Sequence, residues 1–171
     1  MAHPFRPPDL EAVAGAFSRA EVRFVVVGGF AVVANRHVRA TRDVDLLIPD
    51  DRANDERCVS ALGALRALRA RDRRPVDLEL LHGSSHLRVD TEGGLVDLIR
   101  EGEPPLDYAS AASHALRADL GTGTFLVAGL VTIVAMKRLA DRPQDRNDLL
   151  ALEAEHGDLP IVPVPGLDEG A

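Results

Sequence analysis

Asp43 and Asp45 stand one residue apart in the run Asp43-Val44-Asp45-Leu46-Leu47-Ile48. In extended backbone the side chains alternate, so both carboxylates would share one face while Val44 and Leu46 point to the other. Two acids so placed raise each other's pKa unless a cation lies between them. Carboxylates on a rigid strand suit Mg²⁺, with Mn²⁺ as a substitute, because such ions take oxygen ligands and keep sites for substrate phosphates. The plainer alternative is a pair of strand-start acids neutralised by Arg39 and Arg42.

The Gly28-Gly29 pair that ends the preceding apolar run adds to the metal reading. A strand, two glycines and a helix leave backbone N–H groups free at a helix start, where an anion can sit, and glycine lets a phosphate approach the main chain. The spacing is neither a dinucleotide fingerprint nor a P-loop. A third acid, Asp97, lies between apolar neighbours in Leu95-Val96-Asp97-Leu98-Ile99. If its strand lies beside that of Asp45, the three carboxylates form a set able to bind two metal ions and to deprotonate an attacking hydroxyl; otherwise Asp97 is an edge-strand acid facing water. Arg39 and Thr41, just before the acid pair, either orient the acids or touch phosphate.

The elements that must position these residues can be read from hydrophobic periodicity. A helix is expected after Asp9, with Leu10, Val13, Ala14 and Phe17 on one face. Strands are expected in the run up to Val27 and over Asp43–Ile48, separated by a helix over residues 30–38. A long helix is expected over about Asp55–Arg71, carrying Leu62, Leu65 and Leu68 on one stripe and ending in a solvated arginine-rich turn. Residues 75–85 are ambiguous, with a short helix ending at Gly83 as one reading. Residues 86–99 read as a hairpin turning through Thr91–Gly94. Short strands or turns come next, then amphipathic helices over residues 130–141 and 145–156, the second closed by Gly157. The expectation is an α/β (α+β) fold, a small mixed β-sheet flanked by helices, occupying residues 1–156. A proline-bearing tail over residues 157–171 is expected to be extended or disordered.

Composition excludes several alternatives. Among 171 residues the net charge is −7 and aromatics make up 4% with no Trp, so neither a generic basic nucleic-acid binder nor a base-stacking surface is indicated. Cys58 alone cannot form an internal disulfide and reads as a packing residue. No paired Cys or HExxH accompanies the six histidines, which disfavours zinc. The start lacks the apolar core of a signal peptide, and no apolar run approaches the ~20 residues of a membrane span, so a cytoplasmic protein with no membrane partner is expected.

With these residues in hand, the segments VVGGFAVVANRHVRATRDVDLLI, GLVDLI and AMKRLADRPQDRNDLLAL resemble the DNA-polymerase-β-like nucleotidyltransferase superfamily. More narrowly they are similar to the AbiEii-like small nucleotidyltransferases of bacterial toxin–antitoxin systems. The resemblance covers roughly residues 10–155. It implies the nucleotidyltransferase fold with C-terminal helices, Gly28-Gly29 as the phosphate turn, Asp43 and Asp45 as the metal pair and Asp97 as the third carboxylate. It also implies that Lys137 and Asp145, within a Lys…Arg-Pro-x-Asp segment, close the site from the helical side. The family has Gly-Ser or Gly-Gly at this turn, and Gly-Gly lacks the serine hydroxyl that could bind phosphate; Asn35 lies close to where relatives often have His or Gly.

The expected chemistry is nucleotidyl transfer: an acceptor hydroxyl attacks the α-phosphate of an NTP and pyrophosphate leaves, with Asp43 and Asp45 binding the metals and Asp97 binding one metal and acting as base. RNA, a protein or a small molecule could be the acceptor, and an antitoxin protein a partner. The alternative is a catalytically inactive nucleotide-binding or partner-binding relative. A phosphoacceptor receiver domain fits poorly, because the glycine turn has no purpose there.

Overall fold

The computed structural model describes residues 6–169; the first five residues of the expected domain and the last two of the expected tail lie outside the described residues. Helix α1 (Leu10–Arg19) is capped by Asp9, whose carboxylate accepts from the Ala12 N–H, and it buries Val13, Ala14 and Phe17. Strand β1 (Val25–Val27) is wholly buried, as its unbroken valine run requires, and passes directly into α2 (Gly28–Ala34). This helix is shorter than expected. Arg36 adopts a left-handed φ of 74°, and Asn35 ends the helix by donating its side-chain amide to Ala31 O at 2.8 Å and Ala128 O at 2.9 Å. The residue that departs from the family pattern is therefore a staple between α2 and the segment that follows Val127.

Strand β2 (Asp43–Leu47) carries the acid pair. Helix α3 (Arg52–Ala64), capped by Asp51, ends well before the expected Arg71. Arg66 has a φ of 50°, and the chain then enters the short strand β3 (Leu68–Arg69), which pairs antiparallel with Val89 and Asp90. The arginine-rich run is thus strand and turn rather than a helix end; pairing at the sheet edge overrides its helix propensity. Helix α4 (Leu78–His82) stops at Gly83, and β4 (His86–Thr91) and β5 (Gly94–Ile99) form the expected hairpin. Residues 107–128 resolve into α5 (Tyr108–Ser113), β6 (Leu116–Asp119) and β7 (Thr124–Val127). Helices α6 (Leu130–Ala140) and α7 (Pro143–His156) complete the chain's regular elements.

The strands form one mixed sheet in the order β3-β4-β5-β2-β1-β7-β6. Strands β2 and β5 run parallel, as do β1 and β7, and the remaining pairs are antiparallel. The core packs helices against this sheet around Phe17, Phe24 and Phe125, with Phe17 edge-on to Phe24 at 5.7 Å and Phe24 stacked on Phe125 at 6.3 Å. Each fully buried Val or Leu here contributes roughly 2 kcal/mol from removal of apolar area. Cys58 is one of these buried residues, and burial, reinforced by Asp55, pushes its thiol up to about 12, which suits packing and not nucleophilic chemistry.

The segment after Gly157 has little regular structure but is attached: Val164 is buried with Leu106 and Ala135, and Arg138 pairs with Asp168 at 2.7 Å. Among the described residues no helix is long and apolar enough to cross a membrane.

Candidate active site

Sheet order brings the three acids together. Asp45 pairs in register with Asp97 across the parallel β2/β5 ladder, and Val27 lies opposite Asp45 on the other side. One ligand oxygen from each of Asp43, Asp45 and Asp97 falls within 4.8 Å of the others. Such a cluster of hard oxygen donors, two of them partly exposed, fits Mg²⁺ or Mn²⁺.

Their electrostatics differ. Burial, then the charges of Asp43 and Asp97, push Asp45 up to about 7. Burial and the neighbouring Asp97 also raise Asp43, although Arg88 opposes them. Burial acts to raise Asp97 as well, but hydrogen bonds from Arg88 and His86 hold it below the usual carboxylate range.

The glycines are there for room. Gly28 has a φ of 64°, and a Cβ on it would lie 2.0 Å from Asp45 Oδ2; a Cβ on Gly29 would lie 2.5 Å from Thr41 Cγ2. The pair lets the acid strand and the Arg39–Thr41 segment close against the start of α2. Thr41 packs on Gly29 and borders the cleft, and Arg39 borders it too.

From the helical side, Lys137 is buried at 6% exposure. Its Nζ lies 3.1 Å from Asp145 Oδ1 and 2.7 Å from Asp148 Oδ2. Asp145 comes after Pro143 in the first turn of α7, where Pro suits the start of a helix and an acid suits its dipole, and it accepts from the Arg142 N–H and from Arg142 Nε at 2.7 Å. Lys137 and Arg142, with burial opposing them, hold Asp145 below the usual carboxylate range. Asp148, wholly buried, also lies 2.9 Å from Arg39 Nε, a close ion pair without hydrogen-bond alignment. A cleft of about 710 Å³ joins Gly28, Gly29, Arg39, Thr41, the three acids, Lys137, Arg142 and Asp145. Every site residue expected from the sequence is in this one cleft.

Three members were missed. Asp148 supports both Arg39 and Lys137, and nothing local in Asp145-Arg146-Asn147-Asp148 marks it. Arg88 and His86 flank Asp97: Arg88 forks onto both Asp97 oxygens, at 2.6 Å from its Nη2 to Oδ2 and 2.9 Å from its Nε to Oδ1, and reaches Asp43 at 2.8 Å. His86 Nε2 lies 2.7 Å from Asp97 Oδ1. The cation paired with Asp43 is therefore Arg88, while Arg39, paired with Asp148, acts on Asp43 only through the weaker pull of its charge. The signal was present, since the Glu92-Gly93 turn sets the hairpin register and places Arg88 opposite Asp97.

Comparison with known proteins bears on the family and the fold. The family model of aminoglycoside-2''-adenylyltransferase matches residues 9–99, a span that contains all three acids and ends before Lys137. A solution structure of the antibiotic-resistance factor ANT(2'')-Ia is similar with a TM-score of 0.58 at 14% identity, covering 85% of this chain and 81% of that one. A crystal structure of ANT(2'')-Ia in complex with adenylyl-2''-tobramycin gives 0.55 at 15% identity, covering 86% of each. No curated protein matches the chain. These likenesses support the expected nucleotidyltransferase superfamily and fold. They do not support the narrower AbiEii-like placement, and nothing in them supports an RNA acceptor, an antitoxin partner or a toxin role.

Proposed function

Because the chain belongs to the aminoglycoside-2''-adenylyltransferase family, a family of nucleotidyltransferase enzymes, we propose that it transfers the adenylyl group of ATP to a hydroxyl of an aminoglycoside. The observation that carries this reading is the convergence of Asp43, Asp45 and Asp97 within 4.8 Å in a cleft also lined by Lys137 and Arg142. The acceptor oxygen forms a bond to the α-phosphorus, the bond to the β-phosphate oxygen breaks, and pyrophosphate leaves.

Asp43 and Asp45 would hold Mg²⁺, which when bound offsets the charge developing on the transferring phosphate and keeps the displacement in line. Asp97 would take the proton of the attacking hydroxyl; His86 Nε2 and Arg88 Nε now share its Oδ1 while Arg88 Nε and Nη2 share its Oδ2, so the hydroxyl would take the place of one of these contacts. Lys137, Arg142 and Arg39, on the opposite side of the acids from β4, offer three cations for the triphosphate and the departing pyrophosphate. The glycine pair supplies the open backbone against which the phosphates would lie. The net charge of −7 favours the approach of a polycationic acceptor.

The test is incubation of the purified protein with ATP, Mg²⁺ and a panel of aminoglycosides, following pyrophosphate release and the mass of the acceptor. Gain of one adenylyl group on an aminoglycoside is the expected result. Transfer to RNA or protein with none to any aminoglycoside would retire the acceptor assignment while leaving the transfer chemistry standing.

A further inference from the structure

Arg88 lies in one transverse row of the sheet with the catalytic acids. The register runs Arg88 on β4, Asp97 on β5 and Asp45 on β2, each the direct neighbour of the next. Its position is therefore fixed by backbone pairing, and the guanidinium reaches the acids from a Cα directly opposite Asp97. From there it donates to both oxygens of Asp97 and to Asp43 Oδ2, at 2.8 Å for the latter. It thus occupies the space between Asp43 and Asp97, where a second divalent ion shared by those two acids would have to sit.

We propose that this active site takes a single divalent ion, at Asp43 and Asp45, and that Arg88 is a built-in second cation that replaces the other metal ion at Asp97. The inference rests on the nucleotidyl-transfer reading given above and deepens it. Three carboxylates converge here, and one divalent ion with one guanidinium balances their charge. Arg88 cannot step aside by losing its proton, because a guanidinium stays charged at any pH a folded protein tolerates. A second ion would have to displace a two-pronged, charge-assisted contact on an acid that is only 2% exposed, and the displaced cation would remain close by. His86 adds to this by bonding the Asp97 oxygen that Arg88 Nε also contacts. Arg88 is a positioning residue in this scheme: it orients Asp97 for the acceptor hydroxyl and supplies charge, while the ion at Asp43 and Asp45 faces the triphosphate.

The experiment counts Mn²⁺ bound per chain by titration and electron paramagnetic resonance. It uses the full-length protein with an ATP analogue carrying a methylene bridge between its α- and β-phosphates. Wild type should bind one Mn²⁺ per chain with no spin-coupled pair. Arg88→Gln and Arg88→Ala should each bind two and show the coupled signal, whereas Arg88→Lys, which keeps a cation, should stay at one. Two coupled ions in wild type would overturn the proposal, whatever the variants do. So would a single ion in folded Arg88→Gln and Arg88→Ala. Because the readout is metal stoichiometry, it is independent of whether an aminoglycoside is the acceptor. Failure to bind any Mn²⁺ with the analogue would instead count against the nucleotidyl-transfer reading of the site itself and, with it, against this proposal.

Discussion

Gly28 and Asp45 are packed so closely that the hydrogen of the glycine occupies the only space between backbone and carboxylate: a Cβ there would stand 2.0 Å from Asp45 Oδ2. Gly28→Ala should therefore push the Asp45 carboxylate out of the cluster, beyond the roughly 1–2 kcal/mol that a left-handed φ costs an L-residue. The expected outcome is loss of most metal-dependent ATP binding, read by calorimetry, with a folded protein by circular dichroism. Unchanged ATP and Mg²⁺ affinity in the folded variant would mean that the Asp45 carboxylate does not need its present position.

Asp45 gives a pH signature in the metal-free protein. Its folded value is about 7 against an ordinary 3.8, so between these values the native state holds a proton that the unfolded chain has lost. Stability from this group is thus full below about pH 4 and falls as pH rises towards 7, by at most roughly 4 kcal/mol. Asp45→Asn should remove that fall and leave the metal-free protein more stable at neutral pH, while abolishing transfer. Urea midpoints at about pH 4 and about pH 8 measure it; a collapsed midpoint in Asp45→Asn would make Asp45 a structural ion-pair partner instead.

The same proton competes with the metal. Mg²⁺ affinity measured by titration should rise as pH increases through about 7 and then level off, since the ion must displace the Asp45 proton. An affinity independent of pH between about 5 and 8 would contradict the ligand role of Asp45.

Lys137 faces two buried acids, so Lys137→Ala does more than weaken phosphate binding. It should cost about 3–5 kcal/mol of stability, the usual consequence of removing one partner from a buried ion network. Lys137→Arg should recover part of both stability and ATP affinity, because a planar fork does not reproduce a compact ammonium between Asp145 and Asp148. If Lys137→Ala kept its thermal midpoint, the lysine would not be held as the geometry has it.

Asp148 anchors Arg39 and Lys137 together. Asp148→Asn should weaken ATP binding about tenfold, the equivalent of roughly 1.4 kcal/mol, by loosening both cations. It should leave Mn²⁺ binding without nucleotide unaltered, since Asp148 is not part of the acid cluster. Parallel loss of nucleotide-free Mn²⁺ binding would show that the effect passes through the fold.

How much of this was legible in the chain depends on the range of the interaction that decides each feature. The acid pair, the glycine turn and the hairpin rest on alternation and turn chemistry within a few residues, and these local rules placed Asp43, Asp45, Gly28 and Gly29 correctly. The register of Arg88 against Asp97 was also within reach, because a two-residue turn leaves little freedom in how its strands pair. Where local preference and sheet pairing disagreed, pairing prevailed: Leu68 and Arg69 continue an apolar helical stripe in sequence yet lie on the sheet edge against Val89 and Asp90.

The sequence by itself indicated the superfamily and put the acid pair on a strand and the two glycines at a strand-to-helix turn, because alternation and turn chemistry act over a few residues. Only the tertiary structure decided that β5 lies between β4 and β2, so that Asp97 faces Asp45, and that Asp148 ties Arg39 to Lys137 although Arg39 lies far away along the chain. Those contacts arise from which buried faces find each other when the core closes, a balance of packing and loop closure. No pattern within a single segment encodes that balance.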